Sequence, residues 1–188
     1  MEGGVFLTGS ADIRDREAAS TRTPPVALCP AAMDAIGFKT VGPGDEHAWF
    51  ALFAAVRAEE LAMDEWDAAL RDSVLRQQFH AQRSGYRAQH PGASELLILL
   101  DDRPVGWTIV DRTGPAWHCL DIAIAADHRR RGIATRVIRQ WQVEAAASRA
   151  TIGLSVLRTN GPARALYLAL GFRVAGRTDT HWELEWRA

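Results

Sequence analysis

The sequence contains little cysteine and almost no lysine, and its opposite charges nearly cancel. Two of its 188 residues are cysteine, Cys29 and Cys119, which is too few for a disulfide framework or a thiolate metal site and favours a reducing cytoplasm. Lys39 is the single lysine, so the basic side chains are otherwise arginine. With 22 basic and 23 acidic residues and a formal net charge of −1, nothing indicates nucleic acid or an anionic membrane as a partner.

Long apolar runs and a basic amino-terminal segment are also lacking. No stretch approaches the length of a membrane span, and the start Met1-Glu2-Gly3-Gly4 does not resemble a signal peptide, so we expect a cytoplasmic protein. The hydrophobic content of 47% is ordinary for a globular chain. Residues 1–36 show no sustained period and are predicted to be a flexible extension, and part of it is open to interpretation as an over-called gene start, since Met33 lies shortly before the first predicted strand. Residues 37–188 are predicted to form one domain.

Apolar periodicity divides this domain into strands and helices. The order is strand, two helices, three strands, helix, strand, helix and a closing hairpin. Strands are predicted over 37–41, 95–100, 105–110, 118–124, 151–157, 173–177 and 181–186, and helices over 46–61, about 67–87, from 133 onward, and about 161–170.

The junction Arg129-Arg130-Arg131-Gly132-Ile133-Ala134 joins a predicted buried strand to a predicted amphipathic helix. The first turn of a helix has backbone N–H groups without partners and a partial positive charge, so it favours an anion, and Gly132 permits close approach. The junction lacks the Gly-Lys-Ser/Thr ending of a nucleotide-hydrolysing loop and the G-x-G-x-x-G of a dinucleotide fold. The alternative is an ordinary solvated helix start.

A second signature follows the next strand. Asn160 is predicted to cap a helix that carries Pro162 in its first turn and ends at Gly171, directly before Phe172.

Both signatures resemble motifs of the GCN5-related N-acetyltransferase (GNAT) superfamily. The pattern Gln/Arg-x-x-Gly-x-Gly/Ala is matched by Arg129, Gly132 and Ala134. The pattern Asn-x-x-Ala-x-x-x-Tyr followed by Gly-Phe is matched by Asn160, Ala163, Tyr167, Gly171 and Phe172. The specific motifs lie between residues 118 and 172, and the preceding part of the domain matches in element order alone. The resemblance implies an α/β (α+β) GNAT fold, with a mixed, mostly antiparallel sheet of about seven strands flanked by about four helices.

The resemblance also implies a site for acetyl-CoA as cosubstrate, without a metal. Backbone groups of Ile122, Ala123 and Ile124 would hold the pantetheine arm and the thioester carbonyl. The pyrophosphate would be held by the residues of the loop and the first helical turn, with Asn160 and Ala163 nearby: Arg129, Arg130, Arg131, Gly132, Ile133, Ala134 and Thr135. The alternative for Ile122 and Ile124 is a simple core role, which is compatible with backbone contacts.

Two residues are predicted to move protons. Tyr167 matches the family's tyrosine and is predicted to protonate the leaving thiolate, the alternative being a tyrosine that fills an apolar helix face. His118 precedes Ile122 by four residues and by strand parity shares its face, so it is predicted to be the base that deprotonates the amine, the alternative being a structural histidine. Asp121 is assigned to the opposite face with a structural role. Another acidic group, at the end of the first helix, either lines an amine pocket or is solvated: Glu59, Glu60, Asp64 and Glu65.

The predicted activity is acetyl transfer from acetyl-CoA to a primary amine by direct attack in a ternary complex. The sequence does not identify the acceptor and leaves a homodimer open. Two alternatives have no catalysis: a silent CoA-binding or protein-interaction module with the same fold, and an anion-binding domain without a preference for CoA.

Overall fold

The computed structural model describes residues 35–188. Its strands are β1 Ile36–Thr40, β2 Ser94–Leu100, β3 Arg103–Asp111, β4 Ala116–Ile124, β5 Thr151–Leu157, β6 Arg173–Arg177 and β7 His181–Trp186. Its helices are α1 Glu46–Glu60, α2 Ala68–Gln89, α3 Ile133–Ser148 and α4 Gly161–Ala169, with short 3-10 turns at Pro43–Asp45 and Ala126–His128. The predicted flexible extension lies outside the described residues, except for Ala35 and Ile36, and Ile36 already belongs to β1.

The predicted order of elements is confirmed, and β3 and β4 each begin two residues earlier than predicted, with the start of β3 changing the connection before it. A four-residue connection was expected between the second and third strands. In the structure the chain reverses direction at Asp101 and Asp102 alone, and these residues have φ angles of 49° and 62°. Two successive residues with positive φ match the twist of a tight hairpin, so Arg103 and Pro104 already belong to the strand.

The seven strands form one mixed sheet in the order β1-β2-β3-β4-β5-β7-β6. All neighbouring pairs are antiparallel except β4 and β5, which are parallel. The β4–β5 pairing begins at Ala116 opposite Thr151 and stops at Cys119 opposite Leu154. Beyond that point β4 continues beside β3 and β5 continues beside β7, so the two central strands separate towards their carboxyl ends. We call this separation the β4–β5 gap.

Helices cover the two faces of the sheet and divide the core. Helices α1 and α2 bury Trp49, Phe53 and Phe79 against one face, where Trp107 of β3 also lies. On the other face α3 and α4 pack over a second set of apolar side chains: Val137, Ile138, Trp141, Ala163, Ile122 and Ile152. No helix among residues 35–188 combines the length and apolarity needed to cross a membrane.

A β-bulge in β4 changes which side chains face each helix pair. Ile109 of β3 pairs with Asp121 and the next residue, Val110, pairs with Cys119, so Leu120 is an extra residue. Such an insertion breaks the regular alternation of side chains between faces. Cys119 and Ile122 accordingly belong to the α3/α4 core, whereas Leu120 belongs to the α1/α2 core. The parity prediction that His118 shares the face of Ile122 is therefore wrong.

Candidate active site

The predicted anion loop lies at the amino terminus of α3 and borders a cavity. Gly132 is the helix N-cap residue and has a φ of 75°, in the left-handed region that glycine adopts without strain. The cavity has a volume of about 230 Å³. Its lining comes from the end of β4, the loop, the first turn of α3 and one side of α4: Ile124, His128, Arg129, Arg130, Gly132, Ile133, Ala134, Thr135, Pro162, Ala163 and Leu166.

The geometry of this loop fits a diphosphate. Apart from its chain neighbours and its own helix backbone, no atom of residues 35–188 lies within 4 Å of a Cβ added to Gly132, which leaves room for a ligand beside the helix start. The first turn of α3 contains no acidic residue that would repel an anion. The N–H groups of a first helical turn and its partial positive charge match the hydrogen-bond acceptors of a diphosphate, and Arg130, which also lines the cavity, adds a positive charge.

Arg129 ties this loop to two other elements. Its Nε donates to the carbonyl oxygen of Ile124 at 3.0 Å, and its guanidinium lies 2.8 Å from the Oε1 atom of Glu59 at the end of α1. The side chain is only 14% exposed. Its observed contacts are therefore with the protein, and they fix the loop against the end of β4.

Tyr167 projects from α4 into the core. It is fully buried and its ring packs edge-to-face on Phe172, with centroids 5.4 Å apart. Its hydroxyl has no hydrogen-bond partner among the described residues. Burial raises the pKa of Tyr167 well above its usual value, and the nearby Cys119 and Asp121 raise it further. The phenol is consequently protonated at neutral pH and available as a donor.

A second polar group lies on the other face of β4, between α1, α2 and the sheet. Asp121 is 1% exposed, and its Oδ2 atom accepts from Trp107 Nε1 at 2.9 Å and from Gln82 Nε2 at 3.2 Å. Arg57 lies 2.5 Å from the Oε2 atom of Glu60 and donates to Gln82 Oε1 at 3.3 Å. We call this set the polar cluster, with these members: Arg57, Glu60, Gln82, Tyr86, Trp107 and Asp121.

Burial shifts both carboxylates of the polar cluster in the same direction. It raises the pKa of Asp121 to about 6, against the opposing effects of Arg57 and of the hydrogen bond from Trp107. Burial also raises the pKa of Glu60, although Arg57 opposes the shift. No group of three or more His, Cys, Asp or Glu side chains within residues 35–188 is arranged to hold a metal ion.

Comparison with known proteins identifies the family. The model of the acetyltransferase (GNAT) family matches residues 55–172, which is more than half of the chain. The chain belongs to the GNAT family. No curated protein sequence matches it.

Solved structures share the GNAT fold at low sequence identity. PaiA N-acetyltransferase from Thermoplasma acidophilum, solved in complex with coenzyme A, is 13% identical with a TM-score of 0.63, covering 82% of this chain and 99% of that one. The ribosomal-protein-S18-alanine N-acetyltransferase from Escherichia coli is 16% identical, with a TM-score of 0.59 and coverages of 81% and 94%. Spermidine N-acetyltransferase from Vibrio cholerae, solved with CoA and spermine, is 14% identical, with a TM-score of 0.56 and coverages of 81% and 95%.

Most of the residues predicted for the GNAT cosubstrate site border the cavity. The exceptions are exposed Arg131, buried Ile122 and Ala123 on β4, and Asn160, whose side chain caps α4. The sequence prediction missed His128, Pro162 and Leu166, which also line the cavity. Pro162 and Leu166 were detectable in principle, because a helix places residues four apart on one face.

The structure does not bring His118 to Tyr167. His118 is exposed near the start of β4, opposite Gly153 of β5, and its ring lies 5.8 Å from that of His90 at the end of α2. Four residues of extended strand separate it from Ile122, about 13 Å at the usual rise of a strand. It therefore lies at the paired end of β4 and β5, away from the gap.

The capping side chain of Asn160 offers a test of how α4 is positioned. Its Oδ1 atom accepts from the backbone N–H of Ala163 at 3.1 Å. We expect Asn160→Ala to lower the free energy of unfolding by about 1 kcal/mol, since one helix N–H loses its partner. Denaturant unfolding measures this loss, and Asn160→Asp, which keeps an acceptor oxygen, should lose less. Equal stability of the alanine variant and the wild type would contradict the capping role.

Proposed function

We propose that this GNAT protein is an N-acetyltransferase that transfers the acetyl group of acetyl-CoA to a primary amine by direct attack in a ternary complex. The observation that carries the proposal is the arrangement of α4. One side of this helix borders the cavity at the anion loop through Ala163, and one turn further on it buries the hydroxyl of Tyr167, which has no hydrogen-bond partner within residues 35–188. Helix α4 thus runs from the cavity beside the proposed diphosphate site at α3 to the proposed proton donor.

The cosubstrate side of the site follows from the β4–β5 gap. Strand β4 has no partner strand on its β5 side beyond Cys119, within the part of the chain that the structure describes. Its backbone groups there are suited to hydrogen bonds with an extended amide-containing ligand. When bound, acetyl-CoA supplies an activated acetyl thioester. Support comes from the T. acidophilum and V. cholerae enzymes of the same fold, both solved with CoA.

The transfer requires two proton movements. The neutral amine nitrogen bonds to the acetyl carbon, the bond from that carbon to sulfur breaks, and the sulfur leaves as a thiolate. The nitrogen then releases one proton to water, and the phenol that protonates the sulfur regains one from water, so that the products are the amide and the thiol. Tyr167 gives its hydroxyl proton to this thiolate. Burial that raises the pKa of the phenol also raises the proton affinity of a thiolate formed beside it, so the two groups remain matched.

Binding of acetyl-CoA is the first test. We expect calorimetric titration to show a sub-millimolar dissociation constant. We also expect Ala134→Asp to weaken binding about tenfold or more, because it places a carboxylate in the first turn of α3 at the cavity wall. Ala147→Asp is the matched control, since it makes the same change at an exposed position near the other end of α3. Absence of acetyl-CoA binding to the wild type would overturn the proposal.

Binding without turnover would favour the silent module instead. An acceptor screen across polyamines, amino acids, aminoglycosides and peptide amino termini separates the two outcomes.

A further inference from the structure

We propose that Glu59 is a positioning residue for the cosubstrate: through its ion pair with Arg129 it holds the anion loop before α3 in the conformation that receives the diphosphate of acetyl-CoA. The inference rests on the proposed function and adds to it a residue that does not border the cavity. It replaces both interpretations of Glu59 from the sequence, a residue of an amine pocket and a solvated helix end.

The backbone between Arg129 and the first helical bond of α3 is not held by hydrogen bonds of its own. The N–H of Arg129 donates to the carbonyl oxygen of Ala126 at 3.2 Å. The next such bond comes from Arg136, whose N–H donates to the carbonyl oxygen of Gly132 at 3.0 Å. In the described part of the chain, the N–H groups of residues 130–135 have no backbone acceptor. These are the groups that the proposed diphosphate would use, so without ligand the loop needs another restraint.

The same loop contains a residue in a disfavoured conformation. Arg130 has a φ of 59° and Gly132 a φ of 75°. Glycine adopts such angles freely, whereas a residue with a side chain does not, because its Cβ comes too close to the following carbonyl oxygen. Arg130 keeps this conformation only where the surrounding structure fixes it. The adjacent Arg129 supplies the contacts that do so.

The side chain of Arg129 is bonded at two points to two different elements. Its Nε donates to the carbonyl oxygen of Ile124 at the end of β4 at 3.0 Å, and its Nη1 lies 2.8 Å from the Oε1 atom of Glu59 at the end of α1. The Nη2 atom is buried and has no hydrogen-bond partner among the described residues. Glu59 is therefore the carboxylate that bonds this guanidinium in that part of the chain.

This ion pair determines how Arg129 can act on the ligand. Helix α1 packs on the sheet face opposite to that of α3 and α4. A guanidinium that is bonded to a carboxylate there has fewer donors left for a phosphate. Arg129 thus acts on the diphosphate through the backbone of the loop that it anchors, and Glu59 acts through Arg129.

Direct binding and positioning predict opposite effects of a change at Glu59. If the guanidinium of Arg129 bound the diphosphate, Glu59 would compete with the ligand, and its removal would tighten binding. General electrostatic attraction acts in the same direction, since the loss of a negative charge near the loop favours an anion. If Glu59 positions the loop, its removal weakens binding although the local charge becomes more favourable.

The test is calorimetric titration of the full-length protein with acetyl-CoA. Glu59 is 52% exposed, so we expect Glu59→Gln to weaken binding by only about threefold to fivefold. Glu59→Lys should weaken it by about tenfold or more, because lysine repels Arg129 and displaces it. Glu65→Lys is the matched control, since it makes the same charge change at an exposed position between α1 and α2, and it should bind at least as tightly as the wild type.

Two further variants separate positioning from a general loosening of α1. In an Arg129→Ala background, Glu59→Lys should cause no further loss of affinity, because the residue through which it acts is gone. Glu60→Gln should bind acetyl-CoA like the wild type, because Glu60 pairs with Arg57 of its own helix. A merely structural role of the α1 end would lower affinity in this variant as well.

The Glu59→Lys variant decides the inference. Affinity equal to or tighter than that of the wild type would overturn it, as would an undiminished loss in the Arg129→Ala background or an equal loss in Glu60→Gln. A wild type that does not bind acetyl-CoA would overturn the proposed function itself. A wild type that binds, with Glu59 variants that bind equally well, would overturn the positioning role of Glu59 alone.

Discussion

Tyr167→Phe is expected to lower kcat by about 10²- to 10⁴-fold, the usual contribution of a positioned general acid. The substitution removes one oxygen atom and leaves the ring packed on Phe172. The hydroxyl has no protein partner within residues 35–188, so no donor or acceptor is left unsatisfied by its removal. The fold should therefore be as stable as the wild type, or slightly more stable.

Three measurements on the same variant make this result specific. Steady-state kinetics gives kcat, calorimetry gives the acetyl-CoA dissociation constant, and denaturant unfolding gives the free energy of unfolding. We expect the first to change and the other two to stay nearly constant. Unchanged kcat with a good acceptor would remove the acid role from Tyr167.

Gly106→Ala is expected to destabilise the fold by about 1–3 kcal/mol or more and to weaken acetyl-CoA binding. Gly106 lies in β3, opposite Ile124 of β4. A Cβ atom added there would lie 2.2 Å from the carbonyl oxygen of Ala123 and 3.0 Å from a side-chain carbon of Ile124. Because the first obstacle is backbone, β4 must move, and it would move where it borders the cavity.

Gly153→Ala is the matched control for this substitution. Gly153 is also a strand glycine beside β4, but its added Cβ would meet His118 Nδ1 at 3.5 Å, an ordinary contact. Alanine in a strand interior is favoured over glycine by roughly 0.5–1 kcal/mol, so this variant should match or exceed the stability of the wild type. Equal free energies of unfolding for the two variants would show that β4 accommodates the extra methyl group near Ile124.

Local features of the sequence predicted most of the fold. Helix starts and ends depend on neighbours within one turn, so the Asn160 cap and the end of α4 at Gly171, which has a φ of 88°, were predictable from residue types. The pattern of apolar residues that predicted each strand likewise depends only on the residues of that strand. The loop at Arg129–Ala134 and the donor Tyr167 lie on elements predicted in this way, although their catalytic roles stay predictions.

Features that depend on distant parts of the chain were not predictable. The bulge at Leu120 changes the pairing of β4 with β3, and no period within β4 reveals it. This bulge is why His118 was assigned to the wrong face. The contacts of Asp121 come from α2 and β3, with Gln82 39 positions away in the sequence, and those of Arg129 include Glu59, 70 positions away. Polar groups that meet across such separations leave no local pattern.

The short β4–β5 pairing also limits how rigidly the two halves of the sheet are held together. Within the described part of the chain, the two halves of the sheet, β1–β4 and β5–β7, are joined as paired strands by four residue pairs, from Ala116 opposite Thr151 to Cys119 opposite Leu154. Helix α3 contacts strands of both halves, β4 and β5, and so adds a second connection between them. The two halves are therefore connected at one end of β4 and β5 and separated at the other end, where the β4–β5 gap lies. A ligand bound in the β4–β5 gap would contact both halves and would restrict their relative movement, without changing the strand pairing within either half.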